Sequence, residues 1–156
     1  GYAVRFDVAD VPVTGLRTGG VRAINLKDDD YATDYTLVSE GQNLAMITQR
    51  GAFKEMASSE IETGARARRG ELVIHRIKNH PHKLVDFLAY DPDKHDVLEI
   101  ITDRPAFQDV AVDNHHLGTA KSNGTFVVDT DTQGTPVKLR RKKVNVLNEE
   151  PVNQEN

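Results

Sequence analysis

The 156-residue sequence contains no cysteine and no tryptophan, and none of its apolar runs approaches the ~18 residues that a membrane helix needs. Without cysteine, the chain excludes disulfide frameworks, thiol nucleophiles and cysteine-ligated zinc. The N-terminal sequence GYAVRFDVAD has neither a starting methionine nor the apolar segment of a secretory signal. We therefore expect a cytoplasmic piece of a longer protein.

The charges of the chain are segregated along the sequence. The formal net charge is −4, with acidic runs at 27–30, 90–96 and 148–156. The basic residues gather elsewhere, most densely in KLRRKK at 138–143. Because binding of a polyanion responds to the local field, the negative net charge does not exclude a nucleic-acid partner.

An internal repeat of about fifty residues runs through the sequence, a period typical of propeller blades. Its three copies begin alike, with GYAVRF at 1–6, GAFKEM at 51–56 and PAFQDV at 105–110. Each copy continues to a pair of glycines: Gly15 with Gly20, Gly64 with Gly70, and Gly118 with Gly124. An apolar, β-rich run follows each second glycine: VRAINL, ELVIHRI and TFVVDTD.

Each repeat is predicted to consist of short strands. LAMIT turns through QRG into AFKEM, which is a hairpin pattern with Gly51 in the turn, and VLEIIT turns through DRP into AFQDV. KLVDFLAY and TPVKLRR predict further strands, and little helix is expected. Four short strands per repeat predict propeller blades, with a single β-sandwich as the alternative. The first unit lacks a partner equivalent to LAMIT, so we expect the domain to begin upstream with at least one more blade.

The ordered segments GYAVRFDVADVPVTGLRTGGVRAINLKDDD, AMITQRGAFKEMASSEI with GARARRGELVIHRIK, and NGTFVVDTDTQGTPVKLRRKKV resemble the C-terminal domain of the A-subunit of bacterial DNA topoisomerase IV. The resemblance implies an all-β, propeller-like β-pinwheel whose blades exchange strands, with about three four-stranded blades in this chain. Residues 1–146 would form this part of the domain. We place its repeats at 1–42 (unit one), 43–96 (unit two) and 97–143 (unit three), followed by a disordered acidic and polar tail at 147–156.

The resemblance also implies a function. Such a domain binds duplex DNA without sequence preference and presents it to the catalytic core of its own polypeptide, in a heterotetramer with an ATPase subunit. It would support decatenation and relaxation of nucleoid DNA in chromosome segregation. The related domain of the gyrase A-subunit carries a glutamine-arginine-glycine-glycine box, which GLRTGGVRA and GARARRGEL lack. This difference favours topoisomerase IV, and a gyrase fragment without its box stays an alternative.

Basic residues between or beside the glycine pairs are the main candidates for DNA contact. They recur at related places in the three units: Arg17 and Arg22, then Arg66, Arg68 and Arg69, then Lys121. Arginine suits phosphate because its planar guanidinium donates in parallel, and a basic surface gains affinity by releasing DNA counterions. The plainer interpretation is a solvated loop whose charges serve solubility.

Four further basic residues are secondary candidates. Arg50 and Lys54 flank the QRGAFK hairpin, and Arg140 and Arg141 lie in the basic run at 138–143. The alternatives are bases that decorate a turn and a charged exit from the last strand.

Neither a metal site nor a catalytic centre is expected. His80 and His82 flank Pro81, and no third ligand has a fixed spacing from them, whereas zinc needs three or four convergent ligands. The four tyrosines are interpreted as lying in or beside strand-like runs of the repeat, so we predict a non-catalytic domain without a cofactor.

The rival from another class is a protein-interaction propeller. It predicts an exposed apolar or aromatic cluster. Because Phe6, Phe53 and Phe107 fall at repeat core positions, we expect few aromatics to be left for such a cluster.

Overall fold

The computed structural model describes residues 1–95, 97–104, 107–112 and 117–142, and the predicted tail at 147–156 lies outside them. Regular structure in this part of the chain is almost entirely β. The strands are β1 (Tyr2–Ala3), β2 (Asn43–Thr48), β3 (Ala52–Ala57), β4 (Glu71–Leu72), β5 (Leu84–Tyr90), β6 (Val97–Thr102), β7 (Phe107–Ala111), β8 (Thr125–Phe126) and β9 (Pro136–Arg141). The helical elements are the short α1 (Thr130–Gln133) and two 3-10 turns at Val8–Asp10 and Ser58–Glu60. Of the helices in the described residues, none has the length and apolarity to span a bilayer.

The strands form three antiparallel sheets, and neighbouring units exchange strands. The sheets have the orders β1-β4, β5-β2-β3-β8 and β7-β6-β9. Strand β4 belongs to unit two but pairs with β1 of unit one, and β8 of unit three pairs with β3 of unit two in the same register. The first two sheets therefore each take a strand from the following unit, as the predicted strand-exchanging fold requires.

The second glycine of each pair allows this exchange. Gly70 and Gly124 have φ angles of +84° and +79°, a region that costs glycine little. A Cβ atom on Gly70 would lie 2.1 Å from the carbonyl oxygen of Ala3, and one on Gly124 would lie 2.3 Å from that of Phe53. Gly70 and Gly124 therefore mark the points where the chain crosses β1 and β3 of the preceding unit.

The central sheet is buried on both faces. Ala45 and Ile47 of β2 belong to a cluster shared with the third sheet, through residues such as Leu98 and Leu139. Alternate residues of β2, for example Met46, face a second cluster that contains the buried residues following β4. Because side chains alternate along a strand, a sheet with neighbours on both sides needs consecutive apolar residues. Burial of both faces explains the consecutive apolar residues LAMI. The central sheet packs against a neighbouring sheet or segment on each face, as a propeller blade does.

Unit one differs from the sequence-based expectation. The run 21–26 forms no strand, although β4 and β8 occupy the equivalent place in the other units. Strand β4 pairs with β1 and β8 pairs with β3, whereas no strand of the described residues pairs with 21–26. In unit two, the strand after Gly70 is also shorter than ELVIHRI predicts. Its pairing with β1 ends at Leu72, and Val73 and Ile74, beyond the last pair, pack into the core.

Exposed apolar side chains concentrate in the irregular segment 8–37. They are Val8, Val11, Val13, Leu16, Val21, Leu26, Tyr31, Tyr35 and Leu37. Tyr31 and Tyr35 are among them, contrary to the expectation that few aromatics would be left for an exposed cluster. The interpretation of these two tyrosines as lying in or beside strand-like runs is wrong. Tyr2 and Tyr90 do lie in strands, as predicted.

The buried Asp86 connects the second and third sheets. Its Oδ2 accepts a hydrogen bond from the Leu139 N–H at 2.7 Å, and its Oδ1 accepts one from the Phe87 N–H at 3.0 Å. Burial, together with the neighbouring Asp34 side chain, raises the pKa of Asp86 to about 6, against the effect of the two backbone donors.

We expect Gly70→Ala and Gly124→Ala to destabilise the protein far more than Gly20→Ala. All three glycines have nearly the same positive φ, but a Cβ on Gly20 meets no atom within 4 Å. The Gly20 variant should lose about 1 kcal/mol from backbone strain, and the others should lose several kcal/mol because backbone oxygens must also move. Urea unfolding measures the difference. Equal losses in all three variants would contradict the role assigned to the crossing.

The free energy of unfolding should fall as the pH rises from about 4 to about 6. A carboxyl whose folded pKa exceeds its unfolded pKa binds more protons in the folded state, so ionisation costs stability in that window, here about 1–3 kcal/mol. Asp86→Asn should flatten this part of the pH profile of urea unfolding. A profile that keeps the same slope in the variant would exclude Asp86 as the source.

Candidate nucleic-acid interface

Three inter-glycine loops carry the predicted basic residues. Each forms a tight turn, with Arg17, Arg66 and Lys121 among the turn residues. Arg17 and Lys121 are exposed, and neither side chain hydrogen-bonds within the described residues. The three loops therefore present a basic residue at related places, as the repeat predicted.

The loops of units two and three attach to the preceding unit in the same way. The Gly64 N–H donates to the carbonyl oxygen of Arg5 at 3.0 Å, and the Gly118 N–H donates to that of Glu55 at 2.7 Å. Arg5 and Glu55 occupy the same position in their repeats. The shared hydrogen bond places both loops beside the crossing glycines.

The unit-two loop also contacts the segment that contains Arg22. The Ala67 N–H donates to the carbonyl oxygen of Ala23 at 2.9 Å, and the carbonyl oxygen of Arg68 accepts from the Asn25 N–H at 2.8 Å. These contacts bring the loop 64–70 together with residues 22–25. We call Arg22, Arg66, Arg68 and Arg69 the arginine cluster.

Neutral groups hold the three loop arginines of this cluster. Arg66 donates from Nε to the carbonyl oxygen of Asp10 at 3.2 Å, and it also donates to that of Arg22. Arg68 Nε donates to its own loop, and the Arg69 guanidinium lies 4.1 Å from the centroid of the Tyr2 ring. In the described residues no carboxylate forms an ion pair with them, so their positive charge is oriented without being neutralised.

Lys121 is not brought into the arginine cluster. Its loop lies against unit two, where the Ala120 N–H donates to Glu60 Oε2 at 3.2 Å. A carboxylate therefore lies close to this loop and weakens its positive field.

Lys54 is a correction to the predicted set, because its side chain is buried. Its ammonium donates to the carbonyl oxygens of Val73 at 2.6 Å, Ser122 at 2.9 Å and Ala120 at 3.1 Å. Burial lowers its pKa to about 8, against the opposing charge of Glu60. Lys54 therefore fixes the loop of unit three and does not face solvent.

A repeated structural role for this position is visible in unit three. Gln108 occupies the place of Lys54, and its side-chain amide donates to the carbonyl oxygen of Val127 at 2.7 Å. Val127 in turn corresponds to Val73. Sequence reasoning missed this role, although the repeat alignment places a long polar side chain at both positions.

The basic residues at the end of β9 are largely engaged. Arg140 forms an ion pair with Glu99 at 2.5 Å, Lys142 forms one with Asp109 at 2.5 Å, and Arg141 donates to the carbonyl oxygen of Ala89. Two of these three cations are thus neutralised by a carboxylate. They are weaker candidates for phosphate than the arginine cluster.

Arg50 lies at the turn between β2 and β3. Its guanidinium donates to the carbonyl oxygen of His80 at 2.8 Å and lies 5.4 Å from the centroid of the exposed Phe126 ring. His82 is close by, and no sequence pattern groups these side chains. In the described residues no three histidine or carboxylate side chains converge as metal ligands, and the histidines at 115 and 116 lie outside them.

Comparison with known proteins gives consistent results. Residues 1–34 match the family model described as DNA gyrase C-terminal domain, beta-propeller. The A-subunit of DNA topoisomerase 4 from Bacillus subtilis (strain 168) is 31% identical over 134 residues, which are 86% of this chain and 16% of that protein. The corresponding protein from Streptococcus pyogenes serotype M1 is 33% identical over 147 residues, covering 83% of this chain and 18% of that protein. The chain thus spans about a sixth of the length of these relatives.

Solved structures extend the likeness to the fold. The C-terminal domain of DNA topoisomerase IV superposes with a TM-score of 0.84 at 30% identity, over 90% of this chain and 43% of that one. A DNA gyrase A C-terminal domain superposes with a TM-score of 0.71 at 17% identity, over 92% of this chain and 46% of that one, and this similarity concerns the fold alone. The predicted resemblance and the propeller-like β class are confirmed.

Lys54→Met should destabilise the protein by about 2–4 kcal/mol, because three carbonyl oxygens lose a charged donor in a buried place. Where the variant is still folded, the salt dependence of its DNA affinity should equal that of the wild type. Urea unfolding and a salt titration with a short duplex measure the two effects. A fall in the salt slope without a loss of stability would show that Lys54 contacts DNA, contrary to the structural role assigned to it.

Proposed function

With the chain identified as a relative of the C-terminal domain of the DNA topoisomerase IV A-subunit, we propose that it binds duplex DNA through phosphate contacts, without sequence preference. The arginine cluster is the observation that carries this proposal. Its three loop guanidiniums are held by carbonyl oxygens and an aromatic ring instead of carboxylates. Their charge is therefore available to a polyanion.

The chemistry of the cluster suits phosphate. A guanidinium has five N–H donors, and the contacts of Arg66 and Arg68 with carbonyl oxygens leave several of them for a ligand. Contacts with neutral groups limit the rotamers of these side chains, so less conformational entropy is lost on binding. Each phosphate neutralised releases condensed counterions from the duplex, which supplies affinity irrespective of base sequence.

In the whole protein this domain would hold one DNA segment and present it to a catalytic core elsewhere in the same polypeptide. The domain itself would be non-catalytic and would support decatenation and relaxation of supercoils by the ATP-dependent heterotetramer in the nucleoid. The names and the length of the curated relatives support this placement. A gyrase origin is the alternative, and the absence of the glutamine-arginine-glycine-glycine box in these 156 residues argues against it.

A second candidate function is protein interaction through the apolar segment 8–37. Val13 and Leu16 are fully exposed, and Tyr35 is 86% exposed. Such side chains favour contact with another protein surface or a further β unit. This interface would leave DNA affinity independent of the arginine cluster, so one experiment separates the two candidates.

The combined variant Arg66→Gln/Arg68→Gln/Arg69→Gln should lose most of its affinity for a short duplex. The logarithm of affinity should fall linearly with the logarithm of salt concentration, and the variant should lose about two to three units of slope at ~0.9 per phosphate. Fluorescence anisotropy over a salt series gives both quantities, and circular dichroism checks that the variant is folded.

A matched control removes three positive charges at ion-paired places: Lys94→Gln/Arg140→Gln/Lys142→Gln. Its slope should change much less, because these cations already have carboxylate partners. If both variants lost the same DNA affinity and salt slope, the effect would come from the net charge of the protein and not from the arginine cluster. Absence of binding by the folded wild type at low salt would refute the DNA proposal and favour the apolar segment.

A further inference from the structure

A second basic surface lies at the β2–β3 corner, which we define as residues 48–51 and 80–83 together with Phe126. Arg50 joins its parts, because one guanidinium nitrogen donates to the carbonyl oxygen of His80 and lies 3.4 Å from Nε2 of His82. The rings of His82 and Phe126 have centroids 5.7 Å apart. The corner is thus built from unit two and from the strand that unit three donates.

The corner encloses an open cleft of about 530 Å³. It is lined by Gln49, Arg50, His80, Pro81 and Lys83. Among the described residues that line it, Arg50 and Lys83 are permanent cations and none is a carboxylate. Phe126 lies against the Arg50 guanidinium from one side. This composition favours an anion.

Unit three contains the same corner with different chemistry. Arg104 corresponds to Arg50 and makes the equivalent hydrogen bond, from its guanidinium to the carbonyl oxygen of Thr132 at 2.7 Å. There Gly134 replaces His82, and Asp103 replaces Gln49. The hydrogen bond of the arginine is therefore a structural feature of the repeat, whereas the cationic surroundings belong to unit two.

We propose that the β2–β3 corner binds a second backbone phosphate of the duplex through Arg50 and Lys83, and that binding is coupled to protonation of the neighbouring His82. This proposal rests on the proposed function and adds a contact site that the inter-glycine loops do not include. The phosphate would occupy the cleft beside Arg50.

The surroundings of His82 explain the coupling. Nδ1 lies 3.1 Å from Thr48 Oγ1 on β2, Nε2 faces Arg50 on the hairpin, and Phe126 of β8 covers the ring. Lys83 and His80 flank it in its own loop. Burial, with the Arg50 charge in addition, lowers the pKa of His82, so the free ring is neutral near pH 7.

A bound phosphate reverses this balance. Its negative charge offsets that of Arg50 and favours the imidazolium, so a proton is taken up on binding. By linkage, the affinity is highest below the pKa of free His82 and falls as the pH rises towards the pKa of the complex.

Arg50→Gln and Arg104→Gln form a matched pair, because each variant loses an equivalent hydrogen bond. Arg50 donates to the segment that precedes β5, and Arg104 donates to the segment that precedes β9. Arg50→Gln should weaken binding of a short duplex about three- to tenfold and lower the salt slope by ~0.9, and Arg104→Gln should leave both unchanged. His82→Gln should abolish the part of the affinity that rises as the pH falls from about 8 to about 5.5, the range in which histidine titrates. Equal effects of Arg50→Gln and Arg104→Gln would overturn the proposal.

A second measurement is independent of DNA. NMR titration of His82 should give a higher pKa in inorganic phosphate than in chloride at matched ionic strength, and Arg50→Gln should reduce the difference. An unchanged pKa would overturn the corner site even if the arginine cluster binds DNA. If phosphate raises the pKa while the folded protein does not bind duplex at low salt, the corner is an anion site and the proposed function fails.

Discussion

The crossing of the two-residue strands β4 and β8 over a strand of the preceding unit is the contact on which the rest of the structure depends. At Gly70 and Gly124 the chain passes so close to a backbone carbonyl that no Cβ fits, and it does so at a positive φ. Two short pairs, β1 with β4 and β3 with β8, join the units at these points. Their register sets which residues of the following unit reach the core.

That register determines which apolar residues are buried between the sheets and which basic residues are exposed in the loops. The central sheet has a neighbour on each face, so β2 has the consecutive apolar residues LAMI. The buried carboxyl of Asp86 accepts a hydrogen bond from the next sheet. The loops before the crossing glycines are fixed at the same place in each unit. Basic residues in these loops therefore become a surface, and the arginine cluster forms where the loop of unit two meets residues 22–25.

Two lysines and two arginines show that basic residues at related places have different surroundings and therefore different roles. Lys54 and Lys121 both belong to the inter-glycine loop of unit three and its surroundings. Lys54 is buried and holds this loop through its carbonyl oxygens, whereas Lys121 is exposed on the loop. Arg50 and Arg104 make the same structural hydrogen bond, yet one lies among basic side chains and the other beside Asp103. Residue type and hairpin position do not distinguish these cases. The groups that surround each side chain do, such as His82 and Lys83 beside Arg50.

The sequence by itself determined the repeat, the β class, most strands and the basic loops, because strand alternation and turn glycines are local properties of the chain. It also marked Gly70 and Gly124, although not the reason for them. Only the tertiary structure decided that Lys54 is buried, that 21–26 is not a strand, and that Arg50, His82 and Phe126 share one corner. Each of these outcomes depends on whether a partner distant in the sequence pairs with the residue, and a local pattern carries no information about such partners.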